Sequence, residues 1–160
     1  MSIEIEEIQP QDLEWVRGFL MERAGYIRAV SRGVLHQADE LPGYIAALDG
    51  VRAGLLTYRQ VGDQMEIVSL FSAQPGHGLG SRLLEIARQK ARELGCRRAW
   101  LITTNDNQHA IAFYEHCGMK LAAIHRGAMR ESRRLKPEIP LTGHDGIPID
   151  DEFEFEYSLE

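Results

Sequence analysis

The stretch FSAQPGHGLGSRLL, residues 71–84, places three glycines at alternate positions between an apolar run and an amphipathic one. The preceding QMEIVSLF predicts a strand, and apolar residues recur at helical spacing from Leu79 to Leu94. A strand, a glycine-rich turn and a helix start together form an anion site, because the first-turn amides are unpaired at the positive end of the helix dipole. A tight turn alone needs one or two glycines, so we predict that this segment cradles a phosphate group.

The pattern does not fit two common phosphate-binding motifs. A Walker loop requires Lys and then Ser or Thr after the last glycine, whereas Ser81 and Arg82 follow Gly80. The dinucleotide fingerprint requires glycine or alanine at the position of Ser81, and it requires strands joined by crossovers. Here the turn signals at 49–50 (Asp-Gly) and 62–63 (Gly-Asp) predict hairpins instead. NAD is therefore a poor fit.

The flanking chain predicts one α/β domain over residues 1–160, with a mixed, mostly antiparallel central sheet flanked by helices. Asp12 is the predicted N-cap of the first helix. The segment RRAWLITT predicts a strand covered on both faces, and EFEFEYSL predicts a half-exposed one with its glutamates outward. Residues 25–43 predict a short helix or an irregular loop, and 130–151 are unassigned beyond a short helix at 129–135.

Composition limits the class of protein. The net charge of −6 and the pI of about 5.5 argue against a nucleic-acid partner. No apolar run approaches the ~20 residues of a membrane helix, and the N-terminus lacks a signal-peptide pattern, so we expect a cytoplasmic protein without a membrane partner. Cys96 and Cys117 match no metal spacing; we expect buried thiols and no metal.

Two motifs together resemble the GNAT superfamily of acyl-CoA N-acyltransferases. In PGHGLG, Gly78 and Gly80 occupy the small positions of that family's acetyl-CoA motif, while Pro75 replaces its first residue and lacks an amide hydrogen. The segment NQHAIAFYEHCGM, residues 107–119, is similar to the family's downstream motif, with Met119 in place of the usual aromatic residue. The two motifs lie one helix and one strand apart, as in the family.

The resemblance implies an N-acetyltransferase that uses acetyl-CoA as cosubstrate. It implies that backbone amides of the loop cradle the pyrophosphate, that an amide near Leu70 or Phe71 stabilises the oxyanion, and that Tyr114 protonates the departing thiolate. Asn107 either contacts the pantetheine arm or caps a helix, and Phe113 belongs to the same motif. The residues expected to bind acetyl-CoA are Leu70, Phe71, Gly76, His77, Gly78, Leu79, Gly80, Ser81, Asn107 and Phe113.

The acceptor side is less defined. Glu66 is the candidate base that takes the proton of an amine acceptor, and His36, His125 and Asp106 are alternatives. Loops 25–43 and 130–151 are expected to contact the acceptor, a small molecule or a peptide, unless the second loop forms a homodimer contact. Arg82 and Arg88 either meet the nucleotide phosphates or are solvated. The alternative function is a non-catalytic acyl-CoA-binding or regulatory module on the same fold.

Overall fold

The computed structural model describes residues 1–160 and contains nine strands and four α-helices. The strands are β1 (Ile3–Glu7), β2 (Arg28–Ser31), β3 (Val34–Gln37), β4 (Gly43–Leu48), β5 (Val51–Val61), β6 (Gln64–Ser72), β7 (Arg98–Thr104), β8 (Lys120–His125) and β9 (Glu152–Ser158). The helices are α1 (Leu13–Ala24), α2 (Leu79–Glu93), α3 (Gln108–His116) and α4 (Met129–Leu135). Short 3-10 turns lie at Pro10–Asp12, Ala38–Glu40 and His144–Gly146.

Seven of the strands form one sheet in the order β1-β4-β5-β6-β7-β9-β8. Every neighbouring pair is antiparallel except β6 and β7, which are parallel. Parallel neighbours need a crossover connection, and α2 supplies it. The predicted mixed, mostly antiparallel sheet flanked by helices is confirmed.

The two faces of the sheet carry separate apolar cores. On one face, α2 buries a stripe at four-residue spacing, Leu79, Leu83, Ala87 and Ala91, against the central strands. On the other face, α1 buries Val16, Phe19 and Leu20 against β4 and β5. Each buried leucine contributes roughly 2 kcal/mol of transfer free energy. The sheet is thus held from both sides, and its central strands are fixed in position.

The prediction for residues 25–43 was wrong, because a β-hairpin occupies most of this segment. β2 and β3 pair from Arg28↔Gln37 to Ser31↔Val34, and the turn Arg32-Gly33 has positive φ at both residues. Four-residue strands with mixed polar and apolar side chains give no clear period, which is why the sequence pattern failed here. The short helix predicted at 129–135 is confirmed.

Three smaller expectations also differ from the structure. Asp12 precedes α1, but its carboxylate accepts hydrogen bonds from the Gln9 amide (2.8 Å) and Arg52 (2.7 Å) rather than capping that helix. β7 alternates between buried and half-buried residues, so only one of its faces is fully covered. In β9, Glu152 is 1% exposed rather than outward-facing, because β2 and its turn cover that end of the strand.

None of the helices has the length and apolar character that a membrane crossing requires.

Candidate functional site

The centre of the sheet opens into a cleft, because the parallel strands β6 and β7 separate. Their pairing runs only from Gln64↔Arg98 to Ile67↔Leu101. β6 continues to Ser72 and β7 to Thr104, so the last residues of both strands are not paired with each other. Backbone groups on the inner sides of these two strands are therefore available to a ligand.

A β-bulge in β6 lies where the strands separate. Thr57 of β5 pairs with Ser69 and Tyr58 pairs with Ile67, so Val68 has no partner across the ladder. Strict alternation along β6 puts Leu70 on the opposite face from Ile67, but the bulge breaks this alternation. The extra residue restores Leu70 to the core that α2 covers, whereas Phe71 packs against the core that α1 covers.

The glycine loop ends in an uncapped helix N-terminus. Gly78 is the N-cap of α2 and carries no side chain to cap it, and the first intrahelical bond is Arg82 N to Gly78 O (3.1 Å). No acidic residue lies in the first turn. The amides of residues 79–81 are therefore unpaired, and the helix dipole favours an anion beside them.

The three glycines serve two different purposes. Gly76 and Gly78 have φ of 86° and 81°, in the left-handed region that favours glycine, and the space beside their Cα atoms is open. Gly80 lies against the ring of Phe113, and a Cβ atom there would come within 2.9 Å of the ring. Two glycines thus shape the turn, and the third lets α2 and α3 approach each other.

A cavity of about 510 Å³ lies beside the glycine loop and the end of β6. Its walls are the ends of β6, the loop and one face of α3. Its lining includes Leu70, Phe71, Gly76, Gly78, Leu79, Gly80, Ser81, Phe113 and Tyr114. Nine residues expected at the site therefore line one cavity, and the volume of this cavity suits a small-molecule ligand.

Tyr114 lies at the inner end of this cavity. Its ring packs between Phe113 and Phe155, with centroid distances of 5.6 and 5.9 Å. Burial raises the pKa of the Tyr114 phenol to about 12, and the nearby Cys117 acts in the same direction. The phenol therefore remains protonated at neutral pH and is a proton donor rather than a base.

A second cavity, of about 340 Å³, lies on the other side of Tyr114. It shares five lining residues with the first cavity: Leu70, Phe71, His109, Ala110 and Tyr114. The hairpin β2–β3 contributes Ser31 and His36 to its wall, and β6 contributes Glu66. The two cavities thus meet at the Tyr114 side chain.

Four polar side chains form a connected cluster at the second cavity: Ser31, His36 and Glu66 line it, and Arg59 pairs with Glu66. Glu66 is 2% exposed and accepts hydrogen bonds from Arg59 Nε (2.8 Å) and Ser31 Oγ (2.5 Å). Ser31 Oγ also contacts His36 Nε2 at 2.8 Å, and that nitrogen lies 3.8 Å from Glu66 Oε1. A buried carboxylate is costly unless it is paired, and the guanidinium and the hydroxyl supply the partners.

His36 is neutral in this cluster at neutral pH. Burial lowers the pKa of its imidazole, the nearby Arg59 lowers it further, and Glu66 partly opposes both effects. With Ser31 donating to Glu66, the His36 Nε2–H donates to Ser31; in the other tautomer, Nε2 accepts from Ser31. The chain Glu66–Ser31–His36 can therefore carry hydrogen bonds in either direction.

The same cavity contains a second buried carboxylate, Glu152 of β9. It accepts long contacts of 3.2–3.3 Å from the Arg32 amide and guanidinium, and the Arg32 side chain is 39% exposed. Two carboxylates on one cavity wall favour a cationic ligand over an anionic one.

The other expected residues lie at or beyond the edge of these cavities. Asn107 Oδ1 caps α3 by accepting from Ala110 N (3.2 Å), and Asn107 lines the second cavity. His77 does not line the first cavity, and its Nδ1 is buried without a hydrogen-bond partner. Arg88 packs over the Tyr157 ring, 4.5 Å from its centroid, and Arg82 is exposed.

Two of the alternative bases lie outside both cavities. His125 Nε2 pairs with Glu154 at 2.9 Å on the far side of β9. Asp106 is 3% exposed and anchors the C-terminal segment by bonds with the Thr104 hydroxyl (2.5 Å) and the His144 amide (3.1 Å). Neither residue is placed to receive a proton from a ligand in the second cavity.

No group of three or more His, Cys, Asp or Glu side chains is arranged to hold a metal ion.

Sequence reasoning missed Ser31, Arg59 and Glu152 as members of the site. Arg59 could have been found by counting back from the predicted turn at 62–63, because Val61↔Gln64 and Gln60↔Met65 lead directly to Arg59↔Glu66. No sequence signal marks Ser31 or Glu152, because they approach the cavity from segments that meet only in the folded chain.

Comparison with known proteins identifies the family. The sequence profile of the Acetyltransferase (GNAT) family matches residues 4–119, so the chain belongs to that family. Protein YdhI of Bacillus subtilis (strain 168), described as uncharacterized, is 44% identical over 128 residues, 79% of each chain. An IAA acetyltransferase from Bacillus cereus ATCC 14579 superposes with a TM-score of 0.73 at 21% identity, covering 99% and 100% of the two chains. A Bacillus subtilis acetyltransferase in complex with CoA gives a TM-score of 0.67 at 20% identity, covering 99% and 98%.

The His36 cluster predicts a specific loss of stability in acid. Because the pKa of His36 is lower in the folded chain than its ordinary value of about 6.5, the unfolded chain takes up the proton more readily as pH falls. From about pH 7.5 to about pH 5, urea denaturation should show a larger loss of unfolding free energy for the wild type than for His36→Gln. The exposed His116→Gln should behave like the wild type, and parallel losses in all three proteins would contradict this assignment.

Proposed function

We propose that this protein is an N-acetyltransferase that moves the acetyl group of acetyl-CoA to a primary amine by direct attack. The observation that carries the proposal is the meeting of two cavities at Tyr114, one ending in unpaired helix amides and the other walled by buried carboxylates. The first has the character of a phosphate site, and the second that of an ammonium site. The transfer of a group between two substrates needs both sites, one on each side of a proton donor.

Acetyl-CoA binds in the first cavity. Its pyrophosphate lies against the amides of Gly76–Ser81; Pro75, just before them, has no amide hydrogen to donate. Its pantetheine arm enters between β6 and β7 beside Phe113. Asn107 lines the second cavity, so its Nδ2, which the helix cap leaves free, contacts the end of that arm where the two cavities join. CoA bound to a protein of the same fold supports this assignment.

The thioester lies where the two cavities join. The amine attacks the carbonyl carbon, and the resulting oxyanion accepts a hydrogen bond from the strand amide at Leu70 or Phe71. Alternate amides of a strand point to opposite sides, so one of these two faces away from β5. The C–S bond then breaks, and Tyr114 protonates the CoA thiolate.

The acceptor enters the second cavity as an ammonium ion and must lose a proton before attack. Glu66 takes this proton, and Ser31 passes it to neutral His36 in the tautomer with a free Nε2. The second N–H proton, lost as the amide forms, balances the proton that the thiolate receives. Arg59 holds Glu66 in place through an ion pair, and the neutral His36 imidazole is the final acceptor of the proton.

The reaction is tested by thiol release from acetyl-CoA with a panel of primary amines, with the product mass measured in parallel. We expect stoichiometric CoA and N-acetylated amine from at least one acceptor. CoA binding without thiol release across the panel would favour the non-catalytic acyl-CoA-binding module instead. In that case the paired cavities would be a ligand site without chemistry.

The phosphate site predicts a local effect at Gly78. Gly78→Val replaces a residue with φ of 81° beside open space and directs a branched side chain toward the proposed pyrophosphate position. Calorimetry should show CoA affinity reduced by ~10-fold or more, the scale of one lost hydrogen bond to a charged group. Gly62→Val, at φ of 59° in the distant β5–β6 turn, is the matched control for backbone strain and should bind CoA normally.

The proton donor predicts a loss of turnover without a loss of binding. Tyr114→Phe retains the ring that packs between Phe113 and Phe155 and removes only the hydroxyl. In the thiol-release assay kcat should fall by ~10²-fold or more, while the Kd of CoA changes little. Unchanged turnover would leave Tyr114 as a packing residue.

The assignment of Glu66 as the base predicts a loss of activity that depends on pH. Glu66→Gln should lower activity most at neutral pH and recover partly at alkaline pH, where more of the amine enters already deprotonated. Arg59→Gln is the matched control, because it breaks the same ion pair and leaves the carboxylate in place. A flat loss across pH in Glu66→Gln, or the same profile in both variants, would reduce Glu66 to a structural partner of Arg59.

A further inference from the structure

A third cavity, of about 420 Å³, adjoins the acceptor cavity and has no part in the reaction described above. The two share Tyr26, Val30 and Thr104 in their walls. The remaining lining comes from the end of α1, from α4 and from residues 136–149, and it is largely apolar, with Met129, Ile139, Pro140 and Ile149. A ligand in the acceptor cavity therefore has an apolar extension available to it.

The roof of this third cavity is held in place by the chain itself. Arg133 donates hydrogen bonds to the carbonyl oxygens of Ile139 (3.4 Å), Pro140 (2.8 Å) and Ile149 (2.7 Å). Asp106 anchors the same segment at His144. Because these bonds fix the backbone of residues 139–149, the cavity is preformed and does not depend on the ligand to order it.

Lys136 is the one basic side chain in the wall of this cavity, and it is 6% exposed. Its Nζ donates to the Arg28 carbonyl oxygen (2.9 Å) and lies over the Tyr26 ring, 2.9 Å from the centroid. An ammonium group has three donors, and these two contacts leave the third. The two partners of the Lys136 ammonium are a carbonyl oxygen and an aromatic face, and no carboxylate contacts it. The positive charge of this buried group therefore lacks a counter-charge.

Charges around Lys136 are few. Burial lowers the pKa of its ammonium to about 8, the exposed Glu138 at the rim opposes this effect, and Arg28 reinforces it. Lys136 therefore carries its charge at neutral pH, at an energetic cost. A ligand anion would offset that cost by supplying the missing counter-charge.

We propose that this third cavity binds a carboxylate of the acetyl acceptor through Lys136. The acceptor class is then an amino acid-like compound, in which an apolar body separates a primary amine from a carboxylate. The amine end meets Glu66 and Glu152 in the second cavity, and the carboxylate meets Lys136 in the third. This assignment rests on the proposed transfer to amines for its catalytic meaning.

The chemistry of the wall selects a carboxylate over a phosphate. A phosphate carries more than one negative charge at neutral pH and is bound by several donors, such as arginine forks or helix amides. The third cavity offers a single ammonium, no arginine and a partly apolar wall, and its one carboxylate, Glu138, is exposed at the rim. A singly charged anion attached to an apolar body matches that donor set.

Binding is tested without any acetyl transfer, by competitive labelling of lysines with acetic anhydride at about pH 8, near the pKa of Lys136. The probes are 3-phenylpropanoate and its uncharged twin 3-phenylpropanamide. We expect the carboxylate to slow labelling of Lys136 by ~5-fold or more, through contact and a raised pKa, and the amide to leave it unchanged. Exposed Lys120 is the internal reference. Equal effects of the two probes, or none, would overturn the proposal.

Selectivity is tested with ω-amino acids of two to eight carbons, each compared with its carboxamide as acceptor. At the best chain length the wild type should prefer the carboxylate by ~10- to 100-fold in kcat/KM, the scale of a hydrogen bond to a charged group. Lys136→Met keeps the stem and should abolish that preference, while Arg134→Met, at an exposed position of α4, should retain it.

The labelling experiment and the acceptor assay together distinguish a wrong anion site from a wrong reaction. Protection of Lys136 by the carboxylate with no acetylation of any amine would contradict the proposed transferase and leave the anion site in place. Acetylation of carboxylates and carboxamides at equal rates, with unchanged selectivity in Lys136→Met, would contradict the anion site and leave the transferase in place.

Discussion

One residue inserted into a β-ladder lies where the cleft at the centre of the sheet begins. Val68 has no partner across the β5–β6 ladder, and β6 leaves β7 directly after Ile67. A parallel pair that ran to the ends of both strands would have used all its backbone groups in the sheet. Because the pairing stops, unpaired backbone groups face a cleft at the middle of the fold, and the second cavity, which both strands line, opens from it. The bulge also decides which face each later residue takes: Leu70 packs against the core that α2 covers, and Phe71 against the core that α1 covers.

The two sides of the cleft are built by different physical means. On the glycine-loop side, binding capacity comes from the backbone: helix amides without acceptors and a dipole with its positive end exposed. On the hairpin side it comes from side chains, since Ser31 and His36 reach across to Glu66 of the central sheet. A backbone site suits a ligand portion common to all acyl-CoA molecules. A side-chain site can be varied without disturbing the sheet, which suits the part that distinguishes acceptors.

The peripheral segments are tied to the sheet by buried polar contacts rather than by apolar packing. The β2–β3 hairpin is linked to β6 and β9 through Glu66 and Glu152, and residues 139–149 are linked through Asp106 and Arg133. Such contacts contribute only about 1 kcal/mol each to net stability, but each fixes direction and distance, and leaving one partner unpaired costs more. This arrangement explains how short, irregular segments form defined cavity walls without a core of their own.

The sequence by itself determined the sheet, the position of α2 and the phosphate-type loop. These features follow from local patterns: period-two and period-3.6 spacing in 64–94, turn signals at 49–50 and 62–63, and glycines that permit positive φ. It also determined Tyr114 as a candidate, through a motif carried on one helix. Only the tertiary structure decided the faces of residues 69–71, the hairpin in 25–43 and the cluster around Glu66. A bulge shifts every later side chain by one position, and contacts such as Ser31–Glu66 and Lys136–Tyr26 join residues far apart in the chain, so no local pattern encodes them.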